Sequence, residues 1–204
     1  DANVKCIVNA ASSSAYGETP ELPKREVMSP CPLSPYAAAK LAQESYCRAF
    51  AVSYGMQTVS LRYFNVFGPR QDPESQYAAV VPKFFHAFLR NEPPVIYGDG
   101  EQTRDFTFVS DVVAANVKAS EMKNASGQVF NIAGGRQISI NELAKVVGKL
   151  SGTKLPPKHV AARAGDVRHS LADIRRAEQE LGWKPTTSLE AGLQICLEWY
   201  RRNV

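Results

Sequence analysis

The chain has 204 residues, 44% hydrophobic and 22% charged, with a formal net charge of +4. That length can bury a sizeable core, and the composition excludes a disordered or low-complexity chain. The positive charge is spread without runs of Lys or Arg, so the expected partners are small anionic ligands, with no nucleic acid and no membrane.

Residues 4 to 11, VKCIVNAA, form a short apolar run closing on small polar residues, the pattern of a buried strand feeding a loop at Ser12, Ser13 and Ser14. Ser34-Pro35 supplies a helix start, and the helical pattern runs through YAAAKLAQESYCRAFAVSYG to Gly55. QTVSLRYFNVFG, rich in β-branched and aromatic residues, predicts a strand ending before Pro69. An amphipathic helix near 79 to 90, a strand at PVIYG, a turn at GDGEQ and a strand at RDFTFV follow, after which Ser110 and Asp111 are expected to cap a helix through Met122. GQVFNIAGG predicts a strand, and SINE at 139 to 142 has capping-box spacing for a helix over 140 to 150. GTKLPPKHVAARAGD is Pro-rich and predicted irregular. ADIRRAEQELG and residues 188 to 202 predict two closing helices, the second with Thr187 before it and Glu190 three residues on. Strands alternating with helices predict an α/β fold.

Cys6, Cys31, Cys47 and Cys196 lack C-x-x-C spacing, and Cys6 and Cys47 sit in patterns expected to be buried. Neither zinc nor another metal site nor a disulfide framework is expected, which suits a reducing cytoplasm. No apolar run reaches the ~18 residues of a membrane span, and no signal peptide opens the chain.

Tyr36 and Lys40 stand one helical turn apart, so both can address one ligand. A free phenol ionises near pH ~10, and a phenol acting as a base near neutrality needs a close cation. The spacing alone also fits a packed tyrosine beside a solvated lysine. Ser12, Ser13 and Ser14 add a third element, because open α/β sheets place ligand-contacting groups at the carboxyl ends of strands. A polar loop bonded to its own backbone is the competing explanation.

Taken in order, SSSAYG, PLSPYAAAK, LRYFNVFGPRQ, GDGEQTRDFTFVSDV, FNIAGG, INELA and GDVRHSLAD resemble the extended short-chain dehydrogenase/reductase superfamily, specifically the NAD-dependent nucleotide-sugar epimerases. The RQDP and YAAVVP stretches, with GDVRHS, are most similar to 4-epimerases of UDP-N-acetylhexosamines. The resemblance implies that Tyr36 takes the proton of the sugar 4-hydroxyl while C4 gives hydride to NAD, and that the 4-keto sugar turns over and is reduced on its other face. It implies that Lys40 supports the phenolate and binds the nicotinamide ribose, that Ser12 is the catalytic hydroxyl with Ser13 able to share the role, and that Tyr63 and Phe64 lie near the cofactor. Asn65, Arg104 and Arg163 are implied on the UDP phosphates, Tyr97 on the uracil face, Ala78 to Val80 along the base, and Asp166 on the ribose hydroxyls. Ser170, at a position bulky in enzymes restricted to UDP-glucose and UDP-galactose, implies room for a 2-acetamido group; alternatively it caps a helix beginning near Asp173. A homodimer through the helix bearing Tyr36 is a family expectation.

The resemblance further implies that residues 1 to 75 are the later half of a Rossmann-like NAD-binding domain, and that residues 76 to 204 mainly form a small helix-rich UDP-sugar lobe, with 105 to 133 returning to the main sheet. The family's G-x-x-G-x-x-G turn has no counterpart here, so the sequence is expected to be the carboxyl-terminal part of an epimerase. Three functions remain open: a catalytic part of a 4-epimerase, a nucleotide-sugar-binding remnant without the NAD half, or another enzyme of the superfamily. Ser13 and Ser14 stand where 4,6-dehydratases carry an Asp-Glu pair and where UDP-glucuronate decarboxylases usually carry a Glu, which speaks against those two.

Overall fold

The computed structural model describes residues 4–74, 79–122, 126–163 and 165–203. In chain order the elements are β1 (Cys6–Ser12), a 3-10 turn (Ser13–Tyr16), α1 (Pro35–Tyr54), β2 (Gln57–Tyr63), β3 (Val66–Phe67), α2 (Val80–Leu89) and β4 (Val95–Tyr97). They continue as β5 (Thr103–Asp105), β6 (Thr107–Phe108), α3 (Val109–Glu121), β7 (Gln128–Ile132), β8 (Gln137–Ser139), α4 (Ile140–Ser151), β9 (Lys158–Val160), α5 (Arg175–Glu180) and α6 (Leu189–Asn203).

β1, β2 and β7 form a parallel sheet in that order, with Cys6 opposite Gln57 and Ser12 opposite Tyr63. Alternation along β2 sorts its side chains. Val59 and Leu61 join Phe130 and Ile132 of β7 in an apolar core with Val112, Ala115 and Ala119 of α3. Thr58, Ser60 and Arg62 take the other face, toward α1, and all three are buried. A polar buried face is tolerable only when its groups are paired. Thr58 donates to the Cys47 carbonyl of α1 (2.9 Å), Asn9 donates to Ser60 (3.1 Å), and Arg62 meets Glu44 of α1. α1 itself starts where Ser34 Oγ accepts from Ala37 N (3.1 Å) and Pro35 pre-sets the first turn; it stops at Gly55, which is left-handed at φ 65°.

A second core lies between α2, α4 and α6, around Phe84, Phe85, Phe88, Leu143, Val147, Leu193 and Tyr200. The capping box predicted at Ser139 and Glu142 is present at the start of α4. Short pairs β3–β6, β4–β9 and β5–β8 join this lobe to the sheet region.

Several expectations change. The strand predicted over 57 to 68 breaks at Asn65, whose φ of 26° ends the ladder, and β3 leaves to pair with β6. Asp111 is not a cap: it lies in the first turn of α3, buried, and its carboxylate accepts from Thr186 N (3.1 Å), Thr186 Oγ1 (2.7 Å) and Thr187 N (3.1 Å). α6 is capped by Ser188, which accepts from Ala191 N (3.1 Å), rather than by Thr187. The irregular stretch contains β9, and GGRQIS contains β8; both were missed because three-residue strands carry too little periodicity. α5 spans only six residues and packs on β7, with Ala177, Leu181 and Trp183 in the core shared with Phe130 and Ile132 of β7. Cys6 and Cys47 are half-buried, whereas Cys196 is fully buried. Among the described residues no helix is long and apolar enough to cross a membrane, and no His, Cys, Asp and Glu cluster could hold a metal.

Candidate active site

A cavity of about 440 Å³ opens where β1 and β2 end, bordered by Ser12, Ser13, Ser14, Tyr36, Tyr63, Asn65, Arg104, Asp166 and Ser170. The carboxyl end of a parallel sheet is the expected place for a ligand in this architecture. A second cavity, about 570 Å³, shares Asn65, Ala79, Arg104 and Asp166 with the first and runs on to Val80, Tyr97 and Arg163. The two form one cleft. Ala78 lies outside the described residues.

Ser12 closes β1 and caps the turn after it: its Oγ accepts from Ser14 N (3.2 Å) and from Ser14 Oγ (2.9 Å). Gly17 ends that turn at φ 62°, where a Cβ would collide with the Cys31 carbonyl oxygen, so only glycine fits. Tyr36 sits in the first turn of α1 and is 59% exposed. Lys40 does not border the cavity; its ammonium donates to the Ala10 carbonyl (2.7 Å), two residues before Ser12, and stands 5.9 Å from the centroid of the Tyr36 ring. The lysine thus ties the phenol-bearing helix to the strand that presents the serine.

One turn beyond Lys40, Glu44 completes the tether. Its carboxylate takes two hydrogen bonds from Arg62 (2.9 and 2.7 Å), with both side chains almost wholly buried. Burial opposes the Arg62 charge, but Glu44 and Tyr16 together outweigh it, and the net direction is up. The Arg62 guanidinium lies 4.6 Å from the centroid of the Tyr16 ring, and Tyr16 donates to Asn131 Oδ1 of β7 (2.7 Å). Burial pushes the Tyr16 phenol up to about 12, so it stays a neutral donor. Helix α1, β2, the serine turn and β7 are therefore joined through one buried polar chain.

At the other end Arg104 stands on β5 and Tyr97 on β4, whereas Arg163 and Asp166 stand on a loop. Arg104 pairs with Asp166 and donates to the Thr103 carbonyl (2.8 Å). The Arg163 guanidinium lies 3.8 Å from the centroid of the Tyr97 ring and holds that phenol below its ordinary range. Asp105, fully buried, accepts from Ala172 N (3.1 Å). Burial pushes its carboxyl up to about 7, partly countered by the N–H groups of Ala172 and of the Gly134 to Arg136 turn. Its Oδ1 has no hydrogen-bond partner among the described residues.

Phe64 borders the first cavity, with its ring packed against Tyr16 and its backbone bonded to Ile132 and Thr107. Tyr63 turns its hydroxyl to Asn116 of α3 (2.9 Å). Tyr97 carries a guanidinium where a base was expected, and Asp166 holds Arg104 where ribose hydroxyls were expected. Asn65 reaches the Asp105 carbonyl (3.2 Å) from its left-handed backbone, a conformation Asn tolerates better than most residues. Ser170 is no helix cap, since α5 starts at Arg175; its N–H donates to the Thr103 carbonyl (3.1 Å) and it borders the first cavity. Glu44, Arg62 and Tyr16 were not singled out from the sequence. The available signal was Glu44, one further turn along the face of Tyr36 and Lys40.

Residues 1–133 match the model of the NAD dependent epimerase/dehydratase family. The chain is 42% identical, with a TM-score of 0.94, to a UDP-N-acetylglucosamine 4-epimerase of Methanobrevibacter ruminantium solved in complex with UDP-N-acetylmuramic acid, covering 99% of this chain and 64% of that one. It is likewise 42% identical, with a TM-score of 0.93, to a UDP-glucose 4-epimerase of Thermotoga maritima solved with UDP-glucose, covering 98% of this chain and 64% of that one. A putative UDP-glucose 4-epimerase of Methanocaldococcus jannaschii is 37% identical over 199 residues, 98% of this chain and 64% of the relative. The chain thus spans a little under two thirds of the length of these relatives, and it belongs to the NAD dependent epimerase/dehydratase family.

Proposed function

We propose that this chain carries the catalytic and sugar-nucleotide-binding groups of an NAD-dependent 4-epimerase of UDP-hexoses, with UDP-N-acetylglucosamine and UDP-N-acetylgalactosamine as the favoured pair. The observation that carries this reading is the convergence of Ser12, Ser13, Tyr36 and Ser170 on one cavity that runs on to Arg104, Arg163 and Tyr97. Epimerisation needs a group that moves a proton at the 4-oxygen, and a phenol beside a hydroxyl, with a fixed ammonium one turn behind, has that chemistry. Tyr36 takes and returns the proton, Ser12 or Ser13 bonds the same oxygen, and Lys40 of α1, its ammonium held at the Ala10 carbonyl of β1, supplies the neighbouring positive charge. When bound, NAD supplies the hydride acceptor at C4.

The residues present fit the nicotinamide end of the cofactor, since Ser12 and Tyr36 border the carboxyl ends of β1 and β2; the chain contains no Gly-rich turn for the pyrophosphate. At the diphosphate end, Arg104 exchanges Asp166 for phosphate oxygens and Arg163 leaves the Tyr97 ring, which frees that ring for uracil. Ser170 leaves the sugar pocket open beside C2. The Ser13 and Ser14 hydroxyls offer no acid for dehydration, which favours epimerisation over the 4,6-dehydratase alternative.

A coupled assay of the full-length protein with UDP-N-acetylglucosamine and UDP-glucose tests the reading, with turnover of both expected. Binding of UDP-sugar without turnover would instead support the nucleotide-sugar-binding module. Ser170→Tyr is expected to lose activity on the N-acetylated substrate while keeping it on UDP-glucose; equal activity on both would refute the size argument. A homodimer in a cytoplasmic protein completes the proposal.

A further inference from the structure

Among the described residues bordering the first cavity, Arg104 and Asp166 have a task in the reading above, whereas the ammonium-bearing Lys24 has none. It borders the same cavity as Ser13, Tyr36 and Ser170, and it is 2% exposed. Its backbone N–H donates to the Leu171 carbonyl (2.7 Å), which sets it next to Ser170. Its ammonium donates to the Thr19 carbonyl (2.7 Å) and to the Thr19 hydroxyl, both neutral acceptors. An ammonium carries three protons, so one remains for another acceptor.

No carboxylate lies within ion-pair distance of Lys24 among the described residues. Glu18 and Glu21 act on it only at longer range: Glu18 accepts from Arg168 N (3.1 Å), and Glu21 pairs with Arg25 (2.6 Å). Burial pulls the lysine below its ordinary range. Arg62, the other deeply buried cation, has Glu44 as a built-in counter-ion. A desolvated cation without a counter-ion is costly, and the cost is offset if an anion arrives with the ligand. The reading above assigns the diphosphate to the Arg104 and Arg163 end, so an anion reaching Lys24 would be a second one, on the sugar.

We propose that Lys24 is a specificity-determining residue that recognises a carboxylate borne by the sugar of the UDP-sugar substrate. This rests on the reading of the cleft given above. The carboxylate can sit at C6, as in a uronic acid, or on an ether-linked acid side chain, and the two sources are separated by their own arms of one experiment. Both require Lys24 to be charged, and neither requires it for UDP-glucose.

The test is calorimetric binding of UDP-glucose, UDP-glucuronate and UDP-N-acetylmuramate to the full-length protein and to Lys24→Met. A charge-assisted hydrogen bond predicts that at least one carboxylate sugar binds the wild type about 10- to 100-fold more tightly than UDP-glucose. Lys24→Met should erase that preference and leave UDP-glucose within about twofold, while Lys24→Arg keeps most of it. The tighter arm names the carboxylate's position. An equal loss on all three ligands would mean that Lys24 merely holds the loop through Thr19, and the proposal falls. It falls as well, without touching the epimerase reading, if the wild type binds UDP-glucose as tightly as both carboxylate sugars, a comparison that needs no variant to fold. Failure to bind any of the three overturns the reading of the cleft and this proposal together.

Discussion

The two ends of the cleft are built by opposite means. At the sheet end, Tyr36, Lys40 and Ser12 sit on regular elements, and a buried chain from Glu44 through Arg62 to Tyr16 and Asn131 fixes those elements to one another. At the lobe end, Arg104, Asp166, Arg163 and Tyr97 hold one another through contacts that a ligand must displace. Pre-organisation suits the end where the proposed chemistry moves a proton, because misplacement of reacting groups costs rate. Exchangeable partners suit the end that captures a diphosphate, because the charges stay paired until the ligand replaces the partner.

The sharpest way to break this comparison is Tyr36→Phe in the full-length protein. Removing a group that transfers a proton should lower kcat by about 10²- to 10⁴-fold. The ring and its neighbours remain, so UDP-sugar affinity should stay within a few fold in a binding titration. A variant with near-normal kcat would remove the phenol from the chemistry and with it the reason for a rigid sheet end.

Next in size is the tether. Glu44→Ala strands a buried guanidinium, which costs about 3–5 kcal/mol of stability where a buried pair loses one partner. Urea unfolding measures that loss. Glu44→Ala paired with Arg62→Met removes both charges and should recover much of it. If the double variant is as stable as wild type but turns over slowly with unchanged KM, the pair positions Tyr36 as well as holding the fold; if its kcat is normal, the tether is purely structural.

The contrast between the two ends also decided what could be read from the sequence. α1, α4 and the turn after β1 were legible because capping residues, helical spacing and a strand-to-loop transition are local signals. The tether was not, since Glu44 finds Arg62 only once α1 packs on β2, and nothing local distinguishes it from a solvated helix glutamate. Asp111 misled for the same reason. Its position resembles a cap, but its partners are Thr186 and Thr187, 75 and 76 residues away. Phe64 lies one residue beyond β2, before the break at Asn65, and its ring packs on Tyr16 at the cavity, a long-range contact that no local pattern announces.

At the junction of the two ends, Asp105 makes stability depend on pH. Its folded value of about 7 lies above the ordinary 3.8, so between those values the native state binds more protons than the unfolded state. The contribution of the neutral acid is therefore fully present below pH ~4, declines as pH rises, and is gone above pH ~7, a change of a few kcal/mol in order of magnitude. Denaturant titrations at intervals across this window should show wild type losing stability relative to Asp105→Asn as pH rises. Parallel curves for the two proteins would mean that the carboxyl is ionised in the native state throughout.

The smallest effect tests the exchange of partners at the lobe end. The Arg163 guanidinium on the Tyr97 ring favours the phenolate, so Arg163→Ala should move the Tyr97 ionisation back up in a spectroscopic titration. Releasing the ring also removes a competitor for its face. An exposed cation–π contact is worth about 0.5–1 kcal/mol, so uridine, which has no phosphate to miss the arginine, should bind the variant roughly two- to fivefold more tightly. UDP should bind more weakly, because it loses a charged partner worth more than the contact it regains. The opposite signs for uridine and UDP are what distinguish an arginine that trades the ring for phosphate from one that only shields the pocket, for which both ligands would shift the same way.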